Sequence, residues 1–183
     1  EKVKESFDRF EVRGFRSGVV LEQQPPILLA ALRKPMLRLA GREGDGAILN
    51  WLSAEDVKTV TPYVHEGGPG KEIVARLFVI PTEDRATALA IGRHAAAAYL
   101  NVGVYAAFHE WLGRGEELAE MWKLWKQGDR KAALEAIPEN VVDDLIISGS
   151  PDQCREHIQR FQENGVDTPA LAILHTDDLR QTV

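Results

Sequence analysis

Residues 25–51, PPILLAALRKPMLRLAGREGDGAILNW, form the stretch that decides the fold. Ile27 to Leu32 is a short, continuous, charge-free apolar run, the pattern of a strand buried on both faces of a parallel sheet. Arg33 and Lys34 lead into Pro35, whose fixed φ and missing N–H suit the first helical position. Met36, Leu37, Leu39 and Ala40 supply the apolar face of a short helix that Gly41 is expected to stop. Asp45-Gly46 then makes a turn, and Ala47 to Leu52 is a second buried run. Two parallel strands joined by a helical crossover follow from this pattern.

Downstream, Ser53-Ala54-Glu55-Asp56 matches a capping pattern for a helix from Ala54 to His65. Gly67-Gly68-Pro69-Gly70 is a strong turn signal before a third strand, Ile73 to Ile80, interrupted by Arg76. That arginine either faces a wet cavity or pairs with a carboxylate. Thr82 is placed to cap the next helix, with Glu83 and Asp84 in its first turn. Residues 83–147 carry only helical signals, broken at Gly103, Gly113-Arg114-Gly115, Gly128 and Pro138, and read as a helical insertion. Ser150, Pro151 and Gln153 specify a helix start, Gly165 its end, and Cys154, Ile158 and Phe161 its apolar face. Pro169 to Leu174 is a fourth buried strand, and His175 to Arg180 begins another helix. Pro26–Arg38 and Pro169–Arg180 echo one another as repeated β/α units, the material of a barrel. A (β/α)₈ domain typically takes about 250 residues, so four strands in 183 residues make only part of one.

Composition narrows the function classes. The chain is 44% hydrophobic, enough for one sizeable core, and carries a formal charge of −6 with dispersed acids, which argues against a nucleic-acid partner. The single Cys154 fits a reducing compartment. No apolar run approaches the ~20 residues needed to span a bilayer, and residues 1–5 hold no signal-peptide core, so a cytoplasmic protein without membrane contact is expected. No Gly-rich nucleotide fingerprint, GxSxG elbow or metal motif is present, the five histidines being scattered.

In parallel β/α folds ligands sit at the carboxyl ends of strands. Arg33 and Lys34, beside the backbone N–H groups that open the Pro35 helix, could bind a phosphate through dipole and charge together, or could be solvated loop cations. Trp51 could stack on a planar ring or close the sheet rim, and Asn50 could cap the Ser53 turn. His175 at a strand end is either a substrate contact or a hydrogen-bonded rim residue.

PPILLAALRKPMLRLAGREGDGAILNWLS resembles a segment of the luciferase-like flavin and deazaflavin oxidoreductases that reads, loosely, P-I-x-L-A-A-x-x-x-x-M-L-R-L-A-G-x-x-A-D-G-x-x-L-N-W. FEVRGF, at residues 10–15, resembles the stretch before it, and SGSPDQCREHIQRFQENGVDTPALAIL, at 148–174, the family's closing unit. The resemblance implies a TIM-barrel α/β fold in which residues 1–183 form the C-terminal part, strands five to eight, with the helical insertion of residues 83–147 before the last strand. It implies an oxidoreductase or monooxygenase working with coenzyme F420, or alternatively FMN, on a small organic substrate. The cofactor phosphate would be held by the loop Ala30, Ala31, Leu32, Arg33 and Lys34, with Asn50 and Trp51 nearby. Many relatives carry Gly or Ser where this chain has Leu32 and Arg33, and Gly44 replaces a usual alanine, a change expected to be harmless. Catalytic residues would lie on strands one to four, outside this sequence, so the isolated chain should not turn over. Exposed sheet edges should then make it a homo-oligomer or leave it wanting its N-terminal half. The competing reading is a non-catalytic half-barrel that serves as a binding or assembly module.

Overall fold

A computed structural model describes residues 2–16, 18–19 and 21–174. It begins with an antiparallel hairpin that the sequence reading leaves unassigned, β1 (Val3–Ser6) against β2 (Glu11–Phe15). The remaining strands build one parallel sheet: β3 (Leu28–Ala30), β4 (Gly46–Asn50), β5 (Glu72–Ile80), β6 (Ile146–Ser148) and β7 (Thr168–Ile173). This makes five strands rather than four. β5 is central: β7 runs along one edge of it, while β4 and, further along, β6 occupy the other.

Three strand expectations are corrected. β3 spans three residues instead of Ile27–Leu32, and it is half-buried or exposed because β4 is its one strand partner among the described residues. β7 is an edge strand and mostly exposed, not a buried one. The helical insertion is followed by two strands, not by the last strand alone, because Ile146–Ser148 pairs with Phe78–Ile80.

Helix α1 (Lys34–Glu43) runs through Gly41 and ends at Gly44. Gly41 stays because α2 (Ala54–His65) crosses it so closely that an added Cβ would lie 2.0 Å from the Val64 carbonyl oxygen. Gly44 is not a neutral replacement either. A Cβ there would meet the Leu29 Cδ1 at 2.5 Å and the Ala40 oxygen at 2.9 Å. α2 has the expected bounds and a closed capping box, in which the Asp56 N–H donates to Ser53 Oγ and the Ser53 N–H to Asp56.

α3 (Arg85–Leu100) is capped by Asp84, which accepts from the Ala86 and Thr87 N–H groups; Thr82 instead accepts from the Asp84 N–H. α4 (Gly103–Trp111), α5 (Gly115–Gln127), α6 (Arg130–Glu135) and α7 (Glu139–Leu145) break at the anticipated glycines and at Pro138. α8 (Pro151–Glu163) carries the Ser150/Gln153 capping box and buries Cys154 and Phe161. The helix anticipated at His175–Arg180 lies outside the described residues.

Strand alternation sorts the two cores. Ala47, Leu49, Ile73, Ala75, Leu77 and Val79 face α1, α2 and α8. The opposite face has two parts: Phe78, Ile80 and Ile146 pack on α3 and α5–α7, whereas Ile48 and Arg76 are exposed. Among the described residues no helix is long and apolar enough to cross a membrane, and no cluster of three or more His, Cys, Asp or Glu is placed to hold a metal ion.

Candidate active site at the carboxyl end of β3

The loop after β3 opens on a cavity of about 680 Å³. One wall is Ala30, Leu32, Arg33, Lys34, Pro35 and Met36, and the other is Val104, Ala107 and Trp111 of α4. Four of the seven residues singled out from the sequence therefore line it. Ala31 lies just behind, buried, its N–H donating to the Ile48 oxygen at 3.1 Å so that the strand pairing continues into the loop.

Arg33 is the N-cap of α1, in extended backbone and without a side-chain cap bond, and the first turn holds no acid. The N–H groups of Lys34 and Met36 are left without helical partners at the positive end of the dipole. Arg33 is exposed and makes no ion pair among the described residues. Lys34 rests its ammonium over two rings, 5.3 Å from the centroid of Tyr63 and 5.6 Å from that of Trp111. An exposed contact of this kind is worth about 0.5–1 kcal/mol, whereas a hydrogen bond to a charged group is worth about 1.5–3 kcal/mol, so Lys34 can leave the rings for an oxyanion. Two cations, uncapped N–H groups and an apolar flank fit a ligand with an anionic phosphate end and an apolar body.

Asn50 and Trp51 are not in this lining. Trp51 is 1% exposed, stacked on Phe78 at 4.0 Å between centroids and tilted against Tyr99 at 4.9 Å. It leaves the strand at φ 53°, a left-handed backbone that turns the chain toward Ser53. Asn50 does not cap that turn: its Nδ2 donates to the Tyr105 hydroxyl at 3.0 Å, tying β4 to α4.

The α4 wall was missed at the sequence level. Its signal, Val104, Ala107 and Trp111 at spacings of three and four, was present, but periodicity alone could not say whether that stripe faced a core or a cavity. The corner after α4 is held by Arg114, buried, which donates to Asp56 at 2.8 Å and to Asp144 at 3.0 Å. His109 on the same helix is fully buried, and neither ring nitrogen finds a partner among the described residues. Its pKa is pushed down to about 3, by burial first and the Arg114 charge second.

The chain is similar to a Mycobacterium tuberculosis protein whose name assigns it to the coenzyme F420-dependent oxidoreductases, with 28% identity over 156 residues, 77% of this chain and 45% of that protein. The fold resembles an F420-dependent secondary alcohol dehydrogenase solved with an F420-acetone adduct (TM-score 0.69, 16% identity, 94% of this chain and 50% of that one). It also resembles the coenzyme F420-dependent tetrahydromethanopterin reductase of Methanopyrus kandleri (TM-score 0.62, 20% identity, 81% of this chain and 44% of that one). The chain thus spans about half the length of the relatives it matches. The luciferase-like monooxygenase family model matches residues 2–168, and the chain belongs to that family.

Proposed function

We propose that this chain supplies the phosphate-anchoring side of an oxidoreductase site, serving hydride transfer between coenzyme F420 and a small organic substrate. The observation that carries the reading is the cavity at the end of β3, where Arg33, Lys34 and the uncapped start of α1 meet the apolar wall of α4. Coenzyme F420 is preferred over FMN because the similar curated protein and two fold neighbours are named for F420. When bound, the deazaflavin supplies the hydride carrier. Arg33 and Lys34 neutralise the phosphate, the Lys34 and Met36 N–H groups orient it, and Val104, Ala107 and Trp111 exclude water from one side. Groups that hold the reactive ring and move protons are proposed to lie on barrel strands beyond this sequence, so the chain alone binds without turnover. Association with those strands, or with a second copy, completes the site; the cytoplasm is the proposed compartment.

Titration of the chain with coenzyme F420 and with FMN, followed by absorbance and fluorescence, tests this. F420 is expected to bind more tightly. Arg33→Glu should weaken it about 10- to 100-fold, the factor that corresponds to one lost charge-assisted hydrogen bond. Absence of any spectral change with either cofactor overturns the proposal.

A further inference from the structure

Arg76 sits in the middle of β5, on the sheet face turned away from α1, α2 and α8. Its strand neighbours Ala75 and Leu77 are buried on the helical side, while Arg76 is exposed, in register with Asn50 on β4 and Ala170 on β7. Its nearest neighbours on that face, Ile48, Val74, Phe78 and Ala170, carry no charge, and Glu72, four residues back on the same face, accepts from the Thr168 hydroxyl at 2.7 Å. Arg76 makes no ion pair among the described residues. Its guanidinium lies instead over the Phe78 ring, 4.6 Å from the centroid.

Stacking on one face of the guanidinium uses none of its N–H donors. The five donors stay in the plane of the fork, which matches an oxyanion bidentately. The position also relates to the cavity. Ala30 pairs with Ile48 and Ile48 with Val74, so Arg76 is two strands across and two residues along from Ala30, about 12 Å between Cα atoms at ordinary strand spacings. Asn50, level with Arg76, is bonded to Tyr105 of α4, the helix that forms the far wall of that cavity.

We infer that Arg76 is a specificity-determining residue that receives the carboxylate of an anionic substrate, with the Phe78 ring holding the guanidinium flat. This rests on the cofactor site proposed above: Arg76 is not in the lining of that cavity but stands about 12 Å from Ala30, which is. Phe78 orients, Arg76 binds, and an uncharged substrate of the same shape is disfavoured because it leaves the fork unpaired.

Benzoate and its neutral isostere benzamide are the probes, titrated into ¹⁵N-labelled chain while the Arg76 Nε–H resonance is followed. Benzoate should shift that resonance and benzamide should not. Arg76→Gln should raise the benzoate Kd about 10-fold or more, and Arg76→Lys, which keeps the charge but loses the fork, should fall between. Both variants should keep the urea midpoint of the parent and its F420 titration. Equal responses to the two probes, an unchanged benzoate Kd in Arg76→Gln, or failure of that variant to fold overturns the inference. Loss of F420 binding with benzoate binding intact would refute the cofactor site alone.

Discussion

Gly41→Ala sets two forces of opposite sign against each other. Gly41 lies within α1, where alanine is the better helix former by about 1 kcal/mol. Tertiary packing opposes it. The new Cβ would stand 2.0 Å from the Val64 oxygen and 2.9 Å from its carbonyl carbon, backbone atoms that cannot rotate away. Gly67, just past the end of α2, presses on Gly41 as well, since a Cβ at 67 would meet the Gly41 oxygen at 2.0 Å. Restoring contact distance moves the helices apart by more than an ångström, with Leu37, Ala40, Val60 and Val64, all 0% exposed, at the interface. Overpacking of this kind costs roughly 1–3 kcal/mol, and a rigid backbone obstacle belongs at the upper end. Net of the propensity gain, we expect destabilisation of about 2 kcal/mol, or roughly 4–8 °C in Tm for a chain of this size. Urea unfolding followed by circular dichroism measures it. A variant as stable as the parent, or more so, would refute the close α1–α2 approach.

Other outcomes follow from buried charge. Arg114→Met leaves the Asp56 carboxylate buried without its counter-ion and should cost about 3–5 kcal/mol, with Asp56→Asn in the same background recovering part of the loss; chemical denaturation of the three chains decides this. His109, with its folded pKa near 3 against the usual 6.5, is neutral when folded. Below pH 6.5 the unfolded chain therefore takes up a proton that the folded chain refuses. Its contribution makes stability constant above that pH and falling toward pH 3, by up to about 1.4 kcal/mol per unit. His109→Leu should flatten the slope between pH 6.5 and 4 in a series of urea curves, and an unchanged slope would contradict the burial. Cys154, 7% exposed and with its thiol pKa raised by burial first, should react with a thiol reagent at the rate of unfolding rather than at the rate of a surface thiol.

Local signals carried much of this protein. The capping boxes at Ser53 and Ser150, the Pro35 and Pro151 helix starts and the breaks at Gly128 and Pro138 involve groups within four residues of one another, so sequence alone determined them. The position of the Arg33–Lys34 loop at a strand end was equally legible, because strand and helix signals adjoin there.

Long-range contacts decided the rest. β6 is three residues long and gains its strand character only from pairing with Phe78–Ile80, nearly seventy residues earlier in the chain. Gly41 reads as a stop until α2 is laid across it, and Trp51, which reads either as a platform for a planar ring or as a rim residue, is enclosed by Phe78 and Tyr99. The α4 wall opposite Arg33 belongs to the same class: a stripe at helical spacing shows that a helix has two faces, and only its docking over β3 and β4 shows which face meets the cavity.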